Sequence, residues 1–170
     1  MFDHTQSATA LLDRSQHGLP DTLSSVPAAV VAVCGQRFAP APPDERPSVE
    51  SPEAAMVVLG PHLHGRDREH CVAALLDTKH RLLTVALVSI GTIDHTFMSP
   101  REILREALLA NAAAIVVAHN HPSGDAEPSK DDEAVTRRLS KAAEVVGIEL
   151  LDHLVVADGQ WTSLARRGFI

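Results

Sequence analysis

Cysteine is nearly absent from this chain of 170 residues, which contains only Cys34 and Cys71. Two cysteines so far apart cannot build the disulfide framework of a small secreted domain, so we expect free thiols. Long apolar runs are also missing. The longest uncharged one near the start, Val26 to Cys34, is too short to cross a bilayer and lacks the basic flank of a secretory signal. These absences predict no membrane segment, with the cytoplasm as the default location.

An excess of basic residues is lacking as well. The chain carries 15 lysines and arginines against 22 acids, a formal net charge of -7. This balance argues against a broad surface for a polyanion such as DNA, although a local basic patch would survive it. Apolar side chains, by contrast, make up 45% of the residues, enough to bury a sizeable core in a chain of one-domain length.

Proline divides the sequence into two parts. Six of the eleven prolines fall in residues 1–47, and in residues 39–43 they are too dense for a helix or a strand ladder to propagate. We therefore predict that residues 1–47 are an N-terminal extension or linker, with a helical turn at Thr9 to Asp13 and a short strand at Ala28 to Cys34. The folded domain is predicted to span residues 48–170.

Local signals within the domain predict a regular alternation of helices and strands. Helix starts are indicated at Ser51, at Ser99, which has capping-box spacing to Glu102, and at Ser129. Apolar runs rich in β-branched residues predict the strands. These strands are residues 70–77, 81–89, 113–118, 149–157 and 160–164. The order α-β-β-α-β-α-β-β predicts an α/β fold, a three-layer sandwich with a mixed sheet.

The richest chemistry lies in residues 119–132, where two imidazoles, a hydroxyl and a carboxylate occur within fourteen positions. Alternate residues of a strand point to the same side, so His119 and His121 can converge on one ion. A catalytic zinc site takes three protein ligands and leaves one position for water, whereas a closed structural site takes four, often with cysteine. This segment offers His119, His121 and a carboxylate, and no cysteine.

Helical periodicity distinguishes two neighbouring carboxylates, Asp131 and Asp132. Steps of three and four residues from Asp132 reach an apolar face expected to pack inward. That face consists of Val135, Leu139, Ala142 and Val146. The face of Asp131 is more polar, with Ala134, Arg138 and Lys141. Asp132 is therefore the predicted third ligand.

The four residues His119, His121, Ser129 and Asp132 match without a gap the signature of JAMM (JAB/MPN) metallopeptidases, which the segment resembles: His-x-His, seven residues, Ser, two residues, Asp. The sequence is most similar to the bacterial RadC-like branch, from about Val49 to the C-terminus. Its characteristic stretches are residues 89–92, 100–102, 119–124 and 151–153. Several matched stretches make a strong motif. The resemblance implies a cytidine-deaminase-like JAB/MPN fold, Zn²⁺ as cofactor, and hydrolysis of peptide or isopeptide bonds.

A hydrolytic zinc site also needs a group that moves the proton of the attacking water. The resemblance implies a glutamate upstream of the histidines for this role, and Glu69 stands at the matching position. Glu102 is the alternative, but its capping-box spacing gives it a structural task. Ser129 is expected to cap its helix and, as the resemblance implies, to help stabilise the oxyanion of a tetrahedral intermediate.

The expected partner is a peptide or protein substrate, of which a ubiquitin-like tail entering beside the 122–128 loop is one form that the resemblance implies. The alternative function is a non-enzymatic role in DNA repair or recombination. It would require DNA contacts by the basic clusters Arg137-Arg138, Lys141 and Arg166-Arg167. The oligomeric state is left open, with a homodimer as one alternative.

Two further histidine features need interpretation. His62 and His64 repeat the two-residue spacing but fall in the last turn of a helix, where such side chains diverge, so we predict no metal site there. Asp152 and His153 are candidates for orienting a ligand imidazole, the alternative being an ion pair at a strand end.

Trp161, the only tryptophan, is predicted to anchor the last strand.

Overall fold

The computed structural model describes residues 36–37, 46–91 and 98–170. These residues belong to one unit, Ala32–Ile170. The predictions for Thr9 to Asp13 and Ala28 to Cys34 lie outside the described residues. No helix in the described part of the chain is long and apolar enough to cross a membrane.

Nine helices and strands follow one another in the described residues. In chain order they are β1 (Gln36–Arg37), α1 (Pro52–Leu63), β2 (His70–Leu76), β3 (Leu82–Ile90), α2 (Pro100–Leu109), β4 (Ala114–Asn120), α3 (Lys130–Val145), β5 (Glu149–Ala157) and β6 (Gln160–Ser163). The predicted order is confirmed from α1 onward. β1 lies in the segment predicted as a linker, and its two residues are too few to show a periodic pattern.

Local chemistry explains where these elements begin and end. The Ser51 hydroxyl accepts a hydrogen bond from the Ala54 N–H at 3.1 Å and caps α1. Asp158 and Gly159 have φ values of 39° and 79° and form the two-residue turn between β5 and β6. The capping box predicted at Ser99 is wrong, because the Ser99 side chain makes no cap hydrogen bond. Pro100, whose ring fixes φ, occupies the first helical turn there.

The strands form one mixed sheet in the order β1-β3-β2-β4-β5-β6. β2 pairs antiparallel with both β3 and β4, and β4 pairs parallel with β5. A central strand that is covered on both faces must be apolar throughout, and all seven residues of β4 are buried. The predicted α/β sandwich is confirmed.

Two apolar cores cover the two faces of the sheet. Alternate residues of β2, such as Ala73 and Ala74, point to opposite cores. The core on one side includes Ile103 of α2 and Leu139 of α3, and the other includes Leu59 of α1. Within β4, Ile115 and Val117 point to the side of α2 and α3. The alternation continues along the strand, so the next odd-numbered residue, His119, emerges on that same side.

Candidate metal centre

Strand register brings three of the predicted site residues together. Cys71 of β2 lies directly opposite His119 of β4 in the antiparallel pair, and opposite residues share a face. Glu69 immediately precedes β2 and His121 immediately follows β4, and the Glu69 carboxylate is close enough to His121 to raise the pKa of that imidazole. Asn120, between the histidines, points the other way: its Oδ1 accepts from the backbone N–H of His70 at 2.8 Å. The side chain of Asn120 thus holds the end of β4 against the start of β2.

The N-terminus of α3 supplies the carboxylate. The Ser129 hydroxyl accepts from the Asp132 N–H at 3.1 Å, and Asp132 Oδ2 accepts from the Ser129 N–H at 2.8 Å and from its hydroxyl at 2.6 Å. This capping box fixes the carboxylate toward the sheet. Asp132 is 5% exposed and Asp131 is exposed, as the periodicity predicts. The prediction for Val146 is wrong, since it lies beyond α3 and is 42% exposed.

The ligand atoms of His119, His121 and Asp132 all lie within 4.8 Å of one another. The Nε2 atoms of the two histidines are 2.9 Å apart. Asp132 Oδ1 is 3.2 Å from Nε2 of His119, and Oδ2 is 3.5 Å from Nε2 of His121. Two ligands of a tetrahedral zinc ion at about 2.0–2.1 Å are themselves about 3.3–3.4 Å apart. The observed separations fall on both sides of that value.

Hydrogen bonds on the far side of each ring determine which nitrogen is free for a metal. Nδ1 of His121 is 2.8 Å from the Asp125 carbonyl, which can only accept, so Nδ1 carries the proton. Nδ1 of His119 is 2.9 Å from Nε2 of His153. If both rings are protonated at Nδ1, two Nε2 lone pairs face each other, and they repel unless a cation lies between them. Two imidazole nitrogens and a carboxylate oxygen fit a catalytic zinc site.

The electrostatic environment of the site keeps the Asp132 carboxylate charged and the Cys71 thiol protonated. Burial alone would raise the pKa of Asp132, but its close contacts with the His119 and His121 rings outweigh burial and hold this pKa far below its usual range. The contact with Asp132 raises the pKa of His121, and the Glu69 carboxylate contributes in the same direction. Burial raises the pKa of the free Cys71 thiol far above its usual range, so Cys71 stays protonated beside the site. Cys34 lies outside the described residues.

The three potential ligands His119, His121 and Asp132 are called the metal group below. His153 contacts this group and Asp152 does not. The ring of His153 is fully buried, and burial lowers its pKa to about 3, so it is neutral beside His119. Asp152, the residue before His153 in β5, points to the opposite face of the sheet. There Asp152 accepts hydrogen bonds from the Ser163 hydroxyl at 2.6 Å and from the Ala165 N–H at 3.0 Å. The hypothesis that Asp152 orients a ligand is therefore wrong, and its carboxylate instead holds the C-terminal turn.

Thr136 is a site residue that the sequence patterns did not single out. It is fully buried, and its hydroxyl lies 2.6 Å from the Asp132 carbonyl and 2.6 Å from Nδ1 of His153. Its position one helical turn after Asp132 is the signal that could have found it. The pair His62 and His64 falls at the end of α1, as predicted, and is not part of the metal group found in the described residues.

Comparison with known proteins agrees with the fold. Residues 49–169 match the RadC-like JAB domain, and the chain therefore belongs to this family. It is 35% identical to a UPF0758 protein of Desulforamulus reducens over 100% of this chain and 77% of the relative. UPF0758 proteins of Desulforudis audaxviator and Alcanivorax borkumensis are 42% and 44% identical over 79% and 80% of this chain. The chain spans only 58% and 61% of those two relatives.

Proposed function

We propose that this domain is a zinc-dependent hydrolase of peptide or isopeptide bonds. The main support is the convergence of Nε2 of His119, Nε2 of His121 and the Asp132 carboxylate, with no fourth protein ligand in the metal group found among the described residues. A zinc ion held by three such ligands supplies an acidified water and a Lewis acid for a carbonyl oxygen. The protein's own contribution is to hold these ligands and to move protons beside them.

Glu69 is the group proposed to move the proton. It is buried immediately before β2, its carboxylate is close enough to raise the pKa of His121, and its backbone carbonyl accepts from the Gly91 N–H at 2.8 Å. A carboxylate in this position can accept a proton from water and deliver it to the departing amine. Ser129 is proposed to stabilise the oxyanion, in addition to its role as helix cap. For this its hydroxyl hydrogen, which Asp132 Oδ2 accepts at 2.6 Å, would turn from that carboxylate to the oxyanion.

A cavity of about 580 Å³, lined by His121 but not by His119 or Asp132, offers space for a substrate segment. His121 and Pro122 form one side of it, the last turn of α1 another, and the turn between β5 and β6 a third. Trp161 lines this cavity. It also packs against the core on the α1 side of the sheet, as predicted for an anchor of the last strand. Apolar walls next to a potential metal ligand, here His121, are typical of a substrate pocket. We propose that this pocket takes an extended peptide chain.

Hydrolysis with and without metal tests the proposed function. We expect protein reconstituted with zinc to cleave members of a peptide and isopeptide library. Removal of the metal with a chelator should abolish cleavage, and one equivalent of zinc should restore it. Mass spectrometry of the products identifies the bond that breaks. Zinc-loaded protein that cleaves no member of the library, at any temperature at which it stays folded, would contradict the proposal.

Peptide binding can be measured separately, because Trp161 is the only tryptophan of the chain and lines the cavity. In the Glu69→Gln variant, peptides that enter the cavity should shift or quench tryptophan fluorescence in a saturable way. Gly60→Leu, which adds a side chain at the cavity wall, should abolish this change. Val57→Leu on the same helix is the matched control, since Val57 is 77% exposed and does not line the cavity. Equal binding by both variants would place the peptide elsewhere.

The alternative role on DNA finds less support in the predicted basic clusters. Arg166 donates two hydrogen bonds to the carboxylate of Glu53, and Arg167 donates two to Glu127. Such paired guanidinium groups contribute less positive field than free ones. Arg138 and Lys141 remain exposed on α3. A salt-dependent gel shift lost on neutralising these two residues would favour the DNA role.

A further inference from the structure

The hydrogen bonds behind His119 form a continuous relay of three side chains from three elements. Thr136 belongs to α3, His153 to β5 and His119 to β4, and all three are almost completely buried. The contacts are 2.6 Å from Thr136 Oγ1 to His153 Nδ1 and 2.9 Å from His153 Nε2 to His119 Nδ1. Water is excluded from these groups, so each must find its partner within the relay.

The direction of the relay follows from its first contact. Thr136 Oγ1 lies 2.6 Å from the Asp132 carbonyl, which can only accept, so the single hydroxyl hydrogen points there. Toward His153 the Thr136 oxygen must then accept, and Nδ1 of His153 carries the proton. The contacts of the buried His153 ring are a hydroxyl oxygen and a second imidazole, neither of which is an anion that would hold a second proton on the ring. Nε2 of His153 is consequently an acceptor, so the hydrogen between the two rings belongs to Nδ1 of His119. The lone pair of His119 Nε2 is left facing His121 and Asp132.

We propose that Thr136 and His153 are positioning residues that hold His119 in its metal-binding tautomer. The relay begins at the main chain of Asp132, the residue whose side chain completes the metal group, so α3 fixes the ligand atoms of two residues at once. None of its members is a carboxylate, the group that often fills this place behind a zinc-bound histidine. This inference rests on the metal-binding part of the proposed function.

A matched pair of variants at position 136 tests the relay. Valine has the shape of threonine without the hydroxyl, and serine keeps the hydroxyl but loses the methyl group. In Thr136→Val, Nδ1 of His153 loses its acceptor, and the other tautomer of His153 would turn an N–H toward that of His119. We expect zinc affinity, measured by competition with a chromophoric chelator, to fall about 10- to 100-fold in Thr136→Val. Thr136→Ser should bind zinc nearly as tightly as the unchanged protein.

The tautomer itself can be read from nitrogen-15 NMR of the ring nitrogens in the zinc-loaded, unchanged protein. We expect His153 to be protonated at Nδ1 and bare at Nε2. This readout distinguishes positioning from a packing role, because packing alone does not select a tautomer. Protonation of His153 at Nε2, or equal zinc affinity in the valine and serine variants, would overturn the proposal. Zinc affinity that depends on the hydroxyl, in a protein that cleaves no peptide, would contradict the hydrolase and support the relay.

Discussion

Protein in which His121 is replaced by alanine should contain almost no zinc after purification without added metal, whereas the unchanged protein should contain about one zinc ion per chain. The substitution leaves only His119 and Asp132 as ligands in the metal group. His121 is a good position for this test because its side chain is 14% exposed at the edge of the site, so its removal opens no closed cavity in the core. His119, which is fully buried, would combine loss of a ligand with loss of packing.

Elemental mass spectrometry gives the metal content, and the other His-x-His pair provides the control. His64→Ala removes a histidine with the same sequence spacing from the exposed end of α1, and this variant should retain zinc. The comparison therefore separates a specific site from adventitious binding to histidines. Zinc retained by His121→Ala at the level of the unchanged protein would contradict the metal group described above. So would zinc absent from the unchanged protein even after reconstitution.

Local patterns predicted the parts of the site that lie on single elements. Period-two alternation correctly implied that His119 and His121 share a face, and period-3.6 spacing correctly turned Asp132 inward. The cap at Ser129 was also readable, because a capping box involves residues only three positions apart. Each of these features depends on the geometry of one strand or one helix, which the sequence carries directly.

The remaining features depend on how separate elements pair. The contact between His119 and His153 joins residues 34 positions apart, and it exists because β4 and β5 pair in parallel with Val117 opposite His153. Sequence reasoning could not choose between Asp152 and His153, since the choice depends on which face of β5 meets α3. The position of Thr136 one helical turn after Asp132 indicates that it lies near the carboxylate, but its role depends on His153, which the helical pattern does not show. Ser99 and Glu102 have the spacing of a capping box, but spacing alone does not ensure that a side chain reaches a backbone N–H, and the Ser99 side chain makes no cap hydrogen bond.

Replacing Glu69 with glutamine should leave zinc binding nearly unchanged and reduce peptide hydrolysis about 10²- to 10⁴-fold, the contribution typical of a general base. Glutamine keeps the size of the side chain but cannot accept the proton of the attacking water. Glu69 lies immediately before β2, and its charge is close enough to raise the pKa of the His121 imidazole, an effect smaller than that of Asp132. Glu69 is not a member of the group that could hold the metal, so zinc should remain bound.

Steady-state kinetics of the zinc-loaded variant provide the measurement, with the zinc content of the same sample determined in parallel. Glu102→Gln is the matched control, because it makes the same chemical change in the first turn of α2, and it should keep most of the activity. This comparison decides between the two carboxylates that the sequence offers as the group moving the proton. Full activity in zinc-loaded Glu69→Gln together with its loss in Glu102→Gln would reverse the assignment. Loss confined to Glu69→Gln, with zinc retained, would separate proton transfer from metal binding in this site.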